Sequence, residues 1–180
     1  RLVGPRHALL RPAFAAARAG LRTRGDEVRR VLVFFGGIDE RNLTGAALDA
    51  LDSLDTASRR GAELSVDVVI GAAHPQRDAI VERCGARPRT RCHVQVSNMA
   101  ELIAAADVGV GAAGVATWER CALGLPALAV AVAANQQALL RDAAREGLVL
   151  GPDIDGADAA ALALHLRALI DNPALRAHLA

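Results

Sequence analysis

The sequence predicts an α/β fold in which a doubly wound parallel sheet carries helices on both faces. Short apolar runs rich in β-branched residues alternate with segments whose apolar residues recur at helical spacing. The unbroken apolar character of these runs is typical of strands buried on both faces, which occur in parallel sheets. Two runs lead directly into glycine-rich loops, Gly36-Gly37 and Gly111 to Gly114.

Six segments are predicted as strands because they are short, apolar and bounded by turn residues. In chain order they are 31–35, 66–70, 93–96, 108–111, 127–132 and 148–150. The carboxyl ends of parallel strands meet at one edge of the sheet, and ligands bind outside that edge where the strand order reverses. Both glycine-rich loops follow strands, so we expect them to face one ligand.

The helices predicted between the strands are bounded by capping residues. They span about 42–56, 74–84, 98 onward, 117–123, 136–146 and 157–170, and a last helical turn follows Pro173. Asn42 is expected to cap the first of them. Asn98 and Glu101 have the spacing of a capping box, and Gly124 and Gly147 are expected to end their helices.

The first 30 residues differ in composition from the rest of the chain. They hold eight arginines against two acids, with Gly-Pro and Arg-Pro pairs and a short alanine-rich stretch. This composition predicts an interdomain linker or lead-in over 1–30 that wraps onto a domain spanning 31–180. The chain does not begin with Met, and its only methionine is Met99, so we expect a piece of a longer protein.

The composition argues against several classes of protein. A net charge of +1 gives no global field that would recruit nucleic acid, and the absence of Tyr disfavours a base-stacking platform. All 21 basic residues are Arg, which rules out a Schiff-base lysine or a phosphate-loop lysine in this chain. Three cysteines fit neither zinc spacing nor a disulfide framework, and we expect no bound metal and a reduced, cytoplasmic compartment. No apolar run reaches the ~20 residues that would span a membrane.

The segment 107–136 is the most informative part of the chain. It reads as a strand, a loop of small residues, a helical turn with Glu119, and a second strand before Asn135-Gln136. Small residues let backbone N–H groups approach phosphates, and Glu119 is placed to accept hydrogen bonds from a ribose diol. Gly109-x-Gly111-x-x-Gly114 matches a dinucleotide fingerprint, but it lies late in the chain and is weak evidence. The sequence therefore predicts a nucleoside diphosphate site.

The fuller set of motifs resembles the C-terminal, Rossmann-like nucleotide-binding half of enzymes with the GT-B fold. Among these it is most similar to the UDP-sugar hydrolases of pseudaminic acid biosynthesis. The segments that carry the resemblance are Gly4-Pro5-Arg6 through Phe14, Phe35 to Asp39 with Asn42-Leu43-Thr44, Asn98 to Leu102, Trp118-Glu119-Arg120-Cys121 with Gly124-Leu125-Pro126, and Asn135-Gln136. They span almost the whole chain in the order of the family.

The resemblance implies an enzyme that hydrolyses a UDP-linked 2,4-diacetamido-2,4,6-trideoxy sugar to UDP and free sugar. Water attacks the anomeric carbon, and neither an obligatory metal nor a cofactor is implied. Carried over by position, Glu119 binds the ribose hydroxyls and Met99 lies at the uracil. The pyrophosphate is lined by Gly36, Gly37, Gly114, Val115, Ala116 and Thr117, and Asn135 and Gln136 approach the sugar or diphosphate.

Two departures from the family pattern limit this expectation. Ala112, Ala113 and Val115 offer no hydroxyl to phosphate, where relatives often carry Ser or Thr. The general base of the family is a His of the N-terminal domain, and no segment here matches it. We therefore expect no catalytic residue in this chain, which would bind UDP and a UDP-linked amino sugar without turnover and would need the N-terminal domain as its partner.

Other interpretations remain open at this stage. A GT-B glycosyltransferase would use the same glycine loop and Glu119 to bind its donor, and a non-catalytic nucleotide-binding module would fit the hydroxyl-poor loop. His74 follows the second strand on the ligand edge and is a candidate for contact with sugar or diphosphate, although most loop histidines have local roles. Asp39 is a candidate helix cap.

Overall fold

The protein is described here by a computed structural model over residues 7–57, 64–151 and 158–180. The Gly4-Pro5-Arg6 motif and the expected helix start at residue 157 lie outside the described residues. Residues 1–6 of the predicted lead-in also lie outside them.

Five parallel strands form one sheet in the order β3-β2-β1-β4-β5. The strands are β1 (Arg30–Phe34), β2 (Ser65–Ile70), β3 (Thr90–Val94), β4 (Val108–Ala112) and β5 (Ala127–Val130). The helices are α1 (Pro12–Ala19), α2 (Leu43–Ala57), α3 (Arg77–Ala86), α4 (Met99–Ala105), α5 (Ala116–Ala122), α6 (Ala134–Arg145), α7 (Ala159–Asp171) and α8 (Pro173–Leu179). The predicted doubly wound α/β fold is confirmed, and the strand order reverses between β1 and β4.

Successive side chains of a strand pack into separate hydrophobic clusters on the two faces of the sheet. Val31 and Val33 pack in the cluster that includes α2, α3, α7 and α8. Leu32, between them, packs with Phe14 of α1 and with apolar residues of α4. A smaller cluster joins Ala129 of β5 to α6. Burial on both faces explains why the strand sequences are continuously apolar.

Some predicted boundaries are wrong in detail. The predicted sixth strand at 148–150 is reduced to one isolated parallel bridge, Leu128↔Leu150. The third strand begins earlier than predicted, at Thr90, because it is an edge strand whose polar residues do not form an apolar run. It ends at Val94, before Gln95, whose φ of 55° departs from strand geometry.

The cap predictions have different outcomes. Asn42 caps α2 as predicted, because its Oδ1 accepts the N–H of Gly45 at 3.1 Å. Gly124 and Gly147 both adopt positive φ after α5 and α6, as predicted, and the helices end in paired hydrogen bonds of the Schellman type. The capping box at Asn98 is wrong, since its side chain makes no cap bond and instead donates to Glu101 at 3.3 Å.

The segment before β1 is packed tightly against the rest of the protein. Phe14 of α1 is buried beside Met99, Ile103 and Leu123. Arg24 donates to the carbonyl groups of Ile103, Ala106, Leu123 and Gly124 at 2.7–3.2 Å. These contacts hold the segment against α4 and the end of α5.

Asp107, at the entrance to β4, holds the start of β1. Its Oδ2 accepts the backbone N–H groups of Arg29 and Arg30 at 2.9 and 2.8 Å. Its Oδ1 accepts a hydrogen bond from Arg22 at 2.5 Å. One buried carboxylate therefore connects the lead-in, β1 and β4 at the amino end of the sheet.

Candidate functional site

A cavity of about 230 Å³ opens at the carboxyl edge of the sheet. Strand ends supply most of its wall, with one residue each from the lead-in, α4 and α5; the lining residues are Arg11, Phe34, Gly37, Val69, Ile70, Gly71, Gln95, Val96, Met99 and Glu119. It lies beside the reversal of strand order, where doubly wound sheets bind ligands. Three of the residues singled out in the sequence, Gly37, Met99 and Glu119, meet here.

Glu119 is the acidic group of this cavity. It lies in the first turn of α5, and its side chain is 15% exposed. Arg11 Nη2 is 3.6 Å from Glu119 Oε1, and Arg11 Nη1 donates to Ser97 O at 3.5 Å. The guanidinium also stands over the ring of Phe14 at 5.5 Å. A carboxylate that is partly enclosed but still accessible can accept hydrogen bonds from a neutral diol.

The Gly36-Gly37 loop is held close to the end of β2. A Cβ built on Gly71 would lie 2.1 Å from Gly37 O, so only glycine permits this approach of two backbones. Gly36 has a φ of 104°, which side chains rarely adopt. Gly37 lines the cavity, whereas Gly36 does not. The loop therefore presents backbone, with no side-chain atoms, at this point.

The loop after β4 stands apart from the cavity and is supported from within. Val115 is largely exposed, while Gly114 and Ala116 are half-buried. Thr117 is completely buried, and its hydroxyl accepts from Arg120 Nη2 at 3.3 Å. The hydroxyl of Thr117, a residue predicted to line the pyrophosphate, is thus enclosed against Arg120. Two N–H groups in the first turn of α5 are already bonded, because Thr117 donates to Gly114 O and Trp118 donates to Val115 O, both at 3.0 Å.

Gln136 connects the loops that follow β4 and β5. Its Oε1 accepts the N–H of Val132 at 3.1 Å. Its Nε2 would lie 3.5 Å from a Cβ built on Gly114. Asn135, next to it in α6, is exposed. Gly114 and Gln136 are thus brought together as a second group, separate from the residues of the cavity.

His74 lies in the interior, beside the starts of α2 and α3. Its side chain is fully buried, and its Nδ1 accepts the N–H of Gln76 at 3.1 Å. Nε2 is 3.5 Å from Asp39 Oδ2. Asp39 in turn accepts the N–H groups of Leu43 and Thr44 at 3.0 and 2.8 Å, as predicted for a helix cap. The described contacts of His74 are with the protein's own groups at the start of α2 and α3.

Sequence reasoning missed seven of the ten lining residues, which are Arg11, Phe34, Val69, Ile70, Gly71, Gln95 and Val96. Phe34, Gln95 and Val96 lie at or just after the ends of strands and belong to no recognisable motif. Gln95 has a left-handed backbone, and its Oε1 accepts the N–H of Ala72 at 3.3 Å. Arg11 belongs to the lead-in, and its place beside Glu119 depends on the packing of α1. Gln95 could not be marked as a residue that follows a strand, because the sequence predicts it inside the strand 93–96, whereas β3 ends at Val94.

A larger cavity of about 660 Å³ lies at the opposite, amino edge of the sheet. Its charged walls include Arg22 and Asp107, which pair with each other at 2.5 Å. We favour the smaller cavity as the site because the strands' carboxyl edge carries the glycine loops. In the described ranges, no group of three or more His, Cys, Asp or Glu side chains could hold a metal ion. No described helix is long and apolar enough to cross a membrane.

Comparison with known proteins gives curated relatives that match most of this chain. The chain is 30% identical over 147 residues to the spore coat polysaccharide biosynthesis protein SpsG of Bacillus subtilis. The matched region covers 82% of this chain but only 42% of SpsG. The chain thus spans less than half the length of this relative. No family model matches the sequence.

Several solved structures share the fold. WaaG, a glycosyltransferase involved in lipopolysaccharide biosynthesis, aligns with a TM-score of 0.65 and 23% identity, over 95% of this chain and 45% of WaaG. The C-terminal CMP-Kdo binding domain of Acinetobacter baumannii WaaA aligns with a TM-score of 0.61 and 18% identity, over 94% of this chain and 95% of that domain. The chain has the fold of a GT-B C-terminal domain and is distantly similar in sequence to SpsG.

Proposed function

We propose that this chain is the UDP-binding domain, spanning 31–180 with a lead-in over 1–30, of a UDP-sugar hydrolase. The full-length enzyme would release UDP and a 2,4-diacetamido-2,4,6-trideoxyhexose for pseudaminic acid synthesis. The observation that carries the proposal is the position of Glu119 in a cavity with Met99 and Gly37 at the carboxyl edge of the sheet. The family resemblance and the similarity to SpsG support it.

In this proposal each part of a nucleotide has a place. The nucleoside occupies the cavity, with its ribose hydroxyls donating to Glu119 and its uracil near Met99. The diphosphate extends toward the backbone of Gly36, Gly37 and the segment 114–117. The sugar lies beyond it, toward Asn135 and Gln136.

The chemical step needs a general base, which we do not find among the described residues of the proposed site. Hydrolysis at the anomeric carbon requires a base to take a proton from water, and UDP departs with the electrons of the glycosidic bond. His74 is the only histidine among the proposed site residues, and its buried ring contacts Gln76 and Asp39. We therefore assign the general base to an N-terminal domain and expect the isolated chain to bind UDP without releasing it from UDP-sugars.

A donor-binding domain of a GT-B glycosyltransferase is the second candidate. The fold shared with WaaG, a glycosyltransferase, favours it. Glu119 and the glycine loops would serve the same purpose there, and an acceptor would replace water. The N-terminal domain of the full-length protein would distinguish the two proposals. It would carry a water-activating base in a hydrolase and an acceptor site in a transferase.

Calorimetric titration of the chain with UDP, ADP, GDP and NAD tests the proposal. Preferential binding of UDP is the expected result. A preference for ADP or NAD would assign the chain to another class of nucleotide-binding domain. For the full-length protein, release of UDP from UDP-linked diacetamido sugars without an acceptor supports the hydrolase, whereas release that requires an acceptor supports the transferase.

A further inference from the structure

Arg120 is a buried cation beneath the loop that follows β4. Arg120 is only 2% exposed. Nη2 donates to Ala112 O at 2.8 Å, at the end of β4, and to Thr117 Oγ1 at 3.3 Å. Nε is buried without a hydrogen-bond partner among the described residues. The guanidinium therefore connects the last residue of β4 to the first turn of α5.

Two glycines of β4 make room for this side chain. A Cβ on Gly111 would lie 2.9 Å from Arg120 Nη1 and 1.9 Å from Phe34 O. A Cβ on Gly109 would lie 3.4 Å from Arg120 Cδ and 3.1 Å from Leu125 Cδ2. Gly109 and Gly111 belong to the sequence that matches a dinucleotide fingerprint. In the structure, glycine is needed at these positions because the Arg120 side chain lies against both and the backbone of β1 lies against Gly111. Gly109, Gly111 and Arg120 form one structural unit.

The positive charge of this unit is attracted by Glu119 but is not directly paired with it. No carboxylate in the described part of the chain forms an ion pair with Arg120, whose acceptors are a carbonyl and a hydroxyl. Burial lowers the pKa of Arg120 to about 10, so the group still carries its charge at neutral pH. A buried cation without a directly paired carboxylate costs free energy, and such groups are concentrated at functional sites.

The loop above Arg120 lacks the groups that usually bind phosphate. The chain contains no Lys, and Ala113, Gly114, Val115 and Ala116 have no hydroxyl. We propose that Arg120 is a positioning residue that fixes this loop and supplies, from beneath it, the positive charge for a nucleotide's diphosphate. This inference rests on the proposed function and extends it, because it assigns the charge that makes the site select diphosphates over neutral nucleosides.

The experiment compares ligands with and without phosphate in matched variants of the protein. Dissociation constants for UDP, uridine and inorganic pyrophosphate are measured by calorimetry for the wild type, Arg120→Met, Arg120→Gln and Arg120→Lys. The control is Arg176→Met, which removes another buried arginine that donates to carbonyls, those of Leu169, Ile170 and Asp26, away from the loop. Thermal unfolding of each variant identifies those that fold, and Arg120→Gln carries the test if Arg120→Met does not fold.

We expect the neutral Arg120 variants to lose roughly tenfold or more in affinity for UDP while uridine binding stays unchanged. Arg120→Lys, which keeps the charge, should retain the UDP-to-uridine ratio within about threefold, as should Arg176→Met. If wild type binds UDP and the neutral variants keep its UDP-to-uridine ratio, the inference is wrong and the proposed function stands. If pyrophosphate binding depends on Arg120 but UDP binds no better than pyrophosphate, the inference stands and the proposed function is wrong. Wild type that binds neither ligand contradicts both.

Discussion

Arg11 Nη2 lies 3.6 Å from Glu119 Oε1, so a residue of the lead-in contacts the acid proposed to bind ribose. The two side chains differ in exposure, at 52% for Arg11 and 15% for Glu119. Water therefore screens the pair from the side of Arg11, while Glu119 faces the cavity. This asymmetry predicts that the two residues contribute unequally to nucleotide binding.

Glu119→Ala should weaken UDP binding by roughly 1–3 kcal/mol, because it removes a charged hydrogen-bond acceptor. The same change should reduce the preference for UDP over 2′-deoxy-UDP, which lacks one of the donors. Calorimetry with both nucleotides measures the two effects. Glu82→Ala, on an exposed position of α3, is the control and should leave binding unchanged. If Glu119→Ala binds UDP with the affinity of the wild type, Glu119 does not bind the ribose.

Arg11→Met should change UDP affinity by only about 0–1 kcal/mol, the usual range for an exposed ion pair. The methionine retains a flexible apolar stem that can pack on Phe14, so the loss is that of the charge. Titration in low and in high salt measures it, and the small difference should shrink further in high salt. A loss as large as that of Glu119→Ala would mean that Arg11 itself contacts the ligand.

Phe14→Ala should destabilise the protein by about 3–5 kcal/mol, because it empties a fully enclosed position between α1 and α4. Leu9→Ala is a matched control in the same segment, since Leu9 is 98% exposed and its loss should have little effect. Chemical denaturation of both variants tests whether the lead-in is part of the folded unit. Equal stability of the two variants would contradict the packing of α1 described here.

Gly71→Ala should destabilise the protein and displace the Gly36-Gly37 loop, because its Cβ would meet Gly37 O at 2.1 Å. Gly85→Ala is the control, in α3, where a Cβ meets nothing within 4 Å. Removing a helical glycine there should raise stability by about 0.4–1 kcal/mol. Thermal unfolding compares the two, and an unchanged or raised Tm for Gly71→Ala would show that the two backbones do not approach so closely.

Cys92 should react with iodoacetamide faster than the other two cysteines. A hydrogen bond from the Cys84 thiol lowers the pKa of Cys92, which is half-buried. The same hydrogen bond, together with burial, raises the pKa of Cys84, and burial raises that of Cys121. Because the thiolate is the nucleophile, Cys92 has the larger reactive fraction near neutral pH. Peptide mass spectrometry of a labelling time course gives the order, and Cys84 or Cys121 labelling first would contradict it.

The sequence was sufficient to predict the sheet because both of its faces are buried. Burial on two sides makes strands such as β1 and β2 continuous apolar runs, which are conspicuous in sequence. The edge strand β3 has no such run, and its start at Thr90 was missed. The segment 148–150 is apolar for packing against β5, and it forms a single bridge instead of a strand.

The candidate site was only partly predictable, for a different physical reason. Gly37, Met99 and Glu119 could be found because they belong to motifs that follow strands. Arg11 reaches the cavity through the packing of α1, which local periodicity does not encode. The sequence motif also gave Val115 and Thr117 the same expected role at the pyrophosphate. In the structure Val115 is exposed, whereas Thr117 is enclosed against Arg120.

The Asp107 carboxylate has a consequence for how the chain is aligned during folding. Because it accepts two successive N–H groups of the β1 entrance, from 77 and 78 positions away, it opposes a shift of β1 along β4. A slip of one residue would turn Val31 and Val33 to the opposite face of the sheet. Alignment is thus enforced at the amino edge, so the loops at the opposite, carboxyl edge can change without disturbing the strand register.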